Sequence, residues 1–161
     1  IPSGLMADYV FRIVKEEGPI HEDEVTARIR MLWGLQRAGN RIRATVTNAL
    51  RLNVARGVIK SDGAFYTLPD QEVKVRDRSL VSSASLRKSD ILPPAEIQVA
   101  IRKVITENFG ASRTELVMAV SRLFGFASTS AQLKSVIEQE IDGLIATHIL
   151  AEKNGLIGFL G

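Results

Sequence analysis

From Val25 through Ser61 the chain carries no Asp or Glu, while Arg28, Arg30, Arg37, Arg41, Arg43, Arg51, Arg56 and Lys60 all fall inside that stretch. Guanidinium groups in such a run suit phosphate oxygens, and Arg and Asn are the side chains that can make paired hydrogen bonds to guanine and adenine edges. The bias is local. Residues 5–68 hold ten Lys/Arg against seven Asp/Glu, residues 69–93 five against four, and residues 94–161 six against seven. Other chemistry is scarce. There is no Cys, hence no thiolate nucleophile, disulfide or thiolate metal site, which fits a reducing cytoplasmic setting. The two histidines, His21 and His148, lie far apart, and neither has a Ser nucleophile in recognisable register. Glu22, Asp23 and Glu24 follow His21, but consecutive residues at a helix start point in different directions, so capping explains them better than metal ligation. The expectation is a chain without catalysis, metal or cofactor.

The elements that must position these arginines come next. At 161 residues, 45% apolar and 24% charged, the chain has the size of one ordinary domain or two small ones and excludes a fibrous or disordered class. Its longest apolar runs are a few residues, so neither a membrane span nor a signal peptide is expected. The opening Ile1-Pro2-Ser3-Gly4 lacks a Met and reads as a domain excised from something longer.

Sliding the chain against itself by 91 positions reveals a repeat of residues 5–68 in residues 95–161. Val10, Ile13 and Val14 fall on Ile101, Val104 and Ile105. Val25, Ile29, Leu32 and Trp33 fall on Leu116, Val120, Leu123 and Phe124, and Ile42, Val46 and Leu50 on Leu133, Ile137 and Ile141. Amphipathic spacing predicts a first helix over about 5–17 and 95–108. Ser112-Arg113-Thr114-Glu115 is a capping box for the second helix of the later copy, and His21 takes the cap position in the earlier one. Gly34 and Gly125 end these helices. A third helix over about 40–56 and 131–147 precedes hairpin signals at Asp62-Gly63 and Asn154-Gly155. Three helices and a hairpin in about 65 residues is the winged helix-turn-helix plan. The expected fold is therefore mainly α with small β-hairpin wings, in tandem winged helix-turn-helix units: a first unit at 1–68, a linker with a possible edge strand at 69–94, and a second unit at 95–161. The mixed-sign run Arg76-Asp77-Arg78 in the linker reads as a solvated or salt-bridged face. Asn53, on the core side where the second copy has Leu144, reads as a bridge between units or as a solvent-facing helix end.

With the repeat established, the motifs Glu16-Glu17-Gly18-Pro19-Ile20-His21, Arg37-Ala38-Gly39 and Val75-Arg76-Asp77-Arg78 resemble the uncharacterised C-terminal domain of large bacterial helicase-like proteins. Those proteins join a superfamily 1 ATPase core to a restriction-endonuclease-like domain. The resemblance runs from the first helix to the second hairpin and implies association with DNA processing, with the remainder of a helicase-like parent protein as a partner. It implies no catalytic residues, and the Gly-Lys-Ser/Thr phosphate loop of the ATPase is absent from this sequence.

In a DNA-binding winged helix the third helix enters the major groove. With Val46 at the centre of the buried face, steps of about 100° per residue place Arg41, Ala44, Asn48 and Arg51 opposite it and Thr47 on the flank. Arg37 and Arg43 suit phosphates, and Lys60 at the wing base reaches a neighbouring one. The expected DNA-binding set is thus Arg37, Arg41, Arg43, Thr47, Asn48, Arg51 and Lys60. The second copy carries Gln132, Lys134, Ser135, Glu138, Gln139, Glu140 and Asp142 in the corresponding helix, and such carboxylates repel phosphate. The sequence therefore reads as a non-catalytic accessory domain whose first unit binds DNA weakly. The alternative is a protein-docking module with no nucleic-acid contact.

Overall fold

Apolar side chains at helical spacing dictate six helices among the described residues, which a computed structural model gives as 3–34, 39–79 and 89–160. The chain divides into two units, residues 1–73 and 74–161. In unit 1, α1 (Ser3–Glu17) leads through the short strand β1 (Ile20–His21) into α2 (Glu22–Leu32). Helix α3 (Asn40–Ala55) and the hairpin β2 (Lys60–Asp62) and β3 (Phe65–Thr67) follow. The three strands form an antiparallel sheet in the order β1-β3-β2, with Ile20 opposite Tyr66 and Lys60 opposite Thr67. Met6, Val10, Val14, Ile20, Val25, Ile29, Val46, Leu50 and Ile59 are its buried core.

Unit 2 repeats this plan. Its helices α4 (Pro94–Asn108), α5 (Arg113–Leu123) and α6 (Ala131–Ala146) each begin and end 91 residues after α1, α2 and α3. Strands β4 (Leu150–Lys153) and β5 (Leu156–Phe159) form its hairpin, and Ala111 bridges to Ile157 where Ile20 pairs with Tyr66 in unit 1. The core, with Ile97, Ile101, Ile105, Leu116, Val120, Phe124, Ile137, Ile141 and Leu150, occupies the same repeat positions.

The caps follow the sequence logic. The His21 Nδ1 accepts the Asp23 N–H at 3.0 Å, and the ring packs edge-on against Phe65 with centroids 5.1 Å apart. The Ser112 hydroxyl accepts the Glu115 N–H at 3.2 Å, and Ser130, a cap the sequence reading did not single out, accepts the Leu133 N–H at 3.1 Å. Because the Ser112 bond satisfies one of the orphan donors at the start of α5, Ser112→Ala is expected to cost about 1 kcal/mol. Urea unfolding checks this, and an unchanged midpoint would mean that water replaces the cap at no cost.

Two polar residues lie differently from the simplest reading of the sequence. Asn53 bridges no units: its buried amide donates to the Ala7 carbonyl at 3.0 Å, joining α3 to α1 inside unit 1. Residues 71–78 carry no strand, and the strand beside the hairpin is β1. The run after residue 73 instead straps unit 2. Arg78, only 4% exposed, places its guanidinium on fully buried Glu96 with N–O distances of 2.6 and 2.9 Å. It also lies over the Phe124 ring, 5.2 Å from its centroid. The Arg76 N–H donates to Glu96 and the Arg78 N–H to the Phe124 carbonyl.

Candidate nucleic-acid interface

Helix α3 turns Val46, Ala49, Leu50 and Asn53 inward, and this fixes its outer face. Arg41, Ala44, Asn48, Arg51 and Ala55 are exposed, one stripe in steps of three and four residues. Ten residues at about 1.5 Å each separate Arg41 from Arg51 by about 15 Å along the axis. The helix contains no carboxylate, and neither Arg41 nor Arg51 is paired with one among the described residues. Asn48 borders a small cavity of about 130 Å³ lined also by Ser3, Met6, Thr45, Ala49 and Leu52.

The flank of the helix is different. Asp23 lies 3.8 Å from the half-exposed Arg43, and the Thr47 hydroxyl donates to the Glu22 carboxylate. Glu22 also reaches Tyr66, whose hydroxyl is pushed above its ordinary pKa by burial first and by the Glu22 charge second, with Arg51 opposing. The acid-free stretch in sequence is thus not an acid-free surface, because packing of α2 on α3 brings the first-turn carboxylates of α2 beside it. Arg28, another of the counted cations, is held by Glu17 at 2.8 Å, a hydrogen bond that raises its pKa against the opposing effect of burial.

Of the residues expected to bind DNA, Arg41, Asn48 and Arg51 therefore share one open stripe, while Arg43 and Thr47 lie on the flank engaged by carboxylates. Lys60 is exposed at the start of β2, and Arg37 lies outside the described residues. Glu22 and Asp23 are what residue-by-residue charge counting misses. Their signal is the cap position of His21, which places both acids in the first turn of the helix that packs on α3.

In unit 2 the polarity at this junction is reversed. Arg113 stands where unit 1 has Glu22, and its guanidinium lies 2.9 Å from Asp142, 3.3 Å from Glu152 and 3.9 Å from Glu138. Burial alone would lower its pKa, but the hydrogen bonds to Asp142 and Glu152 raise it. Gln98 donates to Glu140 at 2.9 Å. The stripe corresponding to Arg41, Ala44, Asn48 and Arg51 is Gln132, Ser135, Gln139 and Asp142, which holds no cation.

Among the described residues no three His, Asp or Glu side chains come together in a group that could hold a metal ion. No helix among them is long and apolar enough to cross a membrane. No curated protein and no solved structure matches the chain. Residues 1–44 match a family described as "Protein of unknown function (DUF3320)", so the likeness to an uncharacterised domain family covers α1, β1, α2 and the start of α3.

Proposed function

We propose that both units are winged helix-turn-helix modules and that the first binds nucleic acid weakly through α3, as the non-catalytic accessory part of a helicase- or nuclease-like DNA-processing protein. The strand order β1-β3-β2 beside three helices supports the fold reading, since the wing of such modules is this hairpin edged by the strand between the first two helices. The observation that carries the function is the open Arg41, Asn48, Arg51 stripe on a helix without carboxylates. Two arginines about 15 Å apart can straddle phosphates while the Asn48 amide faces a base edge. The Glu22 and Asp23 carboxylates beside the stripe limit the strength of that binding.

Labelled duplex and single-stranded DNA titrated at about 50 and about 200 mM salt test this, because affinity carried by phosphate contacts falls with a log-log slope near −0.9 per contact. Binding is expected to weaken over that range, and Arg41→Ala with Arg51→Ala is expected to weaken it about tenfold or more without lowering thermal stability. Equal binding by the double mutant would remove α3 from the interface. Absence of binding at the lower salt would favour the second reading, a protein-docking module, for which the exposed apolar residues of unit 2 speak: Phe109, Leu156, Phe159 and Leu160.

A further inference from the structure

In unit 1 the chain leaving β3 turns back at Leu68-Pro69-Asp70-Gln71, closed by the Gln71 N–H on the Leu68 carbonyl at 3.3 Å. The Gln71 carboxamide then fills the gap between the end of α1 and β3. Its Oε1 accepts the Leu68 N–H at 2.8 Å and the Thr67 hydroxyl at 2.9 Å, and its Nε2 donates to the Val14 and Lys15 carbonyls at 3.1 and 2.8 Å. The fit is close enough that a Cβ on Gly18 would lie 2.6 Å from that Oε1. Five residues therefore frame the amide: Val14, Lys15, Gly18, Thr67 and Leu68.

Displaced by 91 positions, those five become Ile105, Thr106, Phe109, Gly158 and Phe159, and the same five line a cavity of about 410 Å³ in unit 2. The counterpart of Gln71 would fall one position past Gly161, so this chain supplies no such side chain there. The groove keeps the hydrogen-bonding groups that Gln71 uses. Ile157 turns its N–H and C=O to Ala111, and strand alternation turns the Phe159 N–H the same way, as the Leu68 N–H is turned to Gln71. The last-turn carbonyls of α4 are placed as are those of α1. Gly158 in place of Thr67 widens the floor, and Phe109, in a left-handed conformation with φ 55° and 97% exposed, forms an open apolar wall.

We propose that this groove is a peptide-docking site that takes a turn or extended segment carrying a glutamine carboxamide, supplied by polypeptide outside these 161 residues. The carboxamide accepts from the Phe159 N–H and donates to the Ile105 and Thr106 carbonyls, and the flanking apolar residues of the segment lie on Phe109 and Phe159. The occupant is defined by the one that unit 1 already holds in the equivalent place.

The hexapeptide Leu-Pro-Asp-Gln-Glu-Val, the sequence of residues 68–73, is the probe, titrated into the ¹⁵N-labelled full chain. Saturable shifts of the Phe109, Gly110, Gly158 and Phe159 amide signals are expected, with the α3 signals of unit 1 unmoved. The peptide with Ala in place of its Gln is expected to bind about tenfold more weakly or worse, as loss of three hydrogen bonds requires. Gly158→Leu, at a position where an added Cβ meets nothing within 4 Å, is expected to fill the groove and abolish the shifts while the chain stays folded. No shifts at millimolar peptide, shifts located elsewhere, equal binding by the Ala peptide, or undiminished binding by Gly158→Leu would each overturn the assignment. DNA titration reads a different face, so failure of the α3 reading leaves this result intact.

Discussion

Glu96→Ala is expected to destabilise unit 2 by about 3–5 kcal/mol, the cost of breaking a buried ion pair by removing one partner. Glu96 is fully buried and accepts both terminal nitrogens of Arg78, which is itself 4% exposed, together with the Arg76 N–H. Deleting the carboxylate leaves the Arg78 charge out of water with only the Arg76 carbonyl and the Phe124 ring beside it. The two units carry separate reporters, which makes the test clean. Trp33, the single tryptophan, belongs to unit 1, so its fluorescence follows that unit while far-UV circular dichroism follows both. Urea unfolding is expected to show a leftward shift in the dichroism transition and none in fluorescence. Arg78→Met combined with Glu96→Leu is expected to recover most of the loss, since an apolar pair removes both desolvation penalties. A single-mutant loss below about 1 kcal/mol would place the pair in the class of exposed bridges and would mean that water reaches Glu96.

This pair shows where the sequence stops being legible. The helices were readable because each one's apolar spacing repeats, and two copies 91 residues apart check each other: Met6 with Ile97, Val25 with Leu116 and Val46 with Ile137 are buried in both. Gly34 and Gly125 were readable as helix ends because only a left-handed residue closes such a turn, and their φ values are 64° and 87°. Arg76-Asp77-Arg78 was not readable, because charges of mixed sign in a polar stretch look solvated until their distant partner is known, and Glu96 lies 18 residues from Arg78. The candidate interface failed in the same way at its edge. A count along the chain sees no acid between Val25 and Ser61, but Thr47 finds Glu22 across a separation of 25 residues. The outward stripe survived because helix periodicity alone decides it. Charge balance at a surface is a property of packing, and composition reports it only within one element.

The comparison of Gly125→Ala with Gly34→Ala isolates the strap from the turn it crosses. Both glycines occupy the same repeat position after the C-cap and both have positive φ, so a Cβ costs each of them roughly 1–2 kcal/mol of left-handed strain. At Gly34 nothing lies within 4 Å of an added Cβ, and that strain is the whole expected loss. At Gly125 the Cβ would overlap the Asp77 carboxylate and lie 2.5 Å from the Ser79 nitrogen and 2.9 Å from the Arg78 nitrogen. Main chain must then move, and the bond from the Arg78 N–H to the Phe124 carbonyl, 2.8 Å long, is the first to be lost. Because that bond seats the guanidinium over Phe124 and Glu96, the expected loss rises by about 2 kcal/mol or more beyond that of Gly34→Ala, within the range for a disturbed buried ion pair. Dichroism reads the Gly125 variant and Trp33 fluorescence the Gly34 variant. Similar losses at the two sites would mean that residues 77–79 can step aside freely, and the buried pair would then hold the strap by its side chains alone. A larger loss at Gly125 makes the strap part of the unit 2 core, so that a stable second unit has to begin near residue 74 rather than at the helix that starts at Pro94.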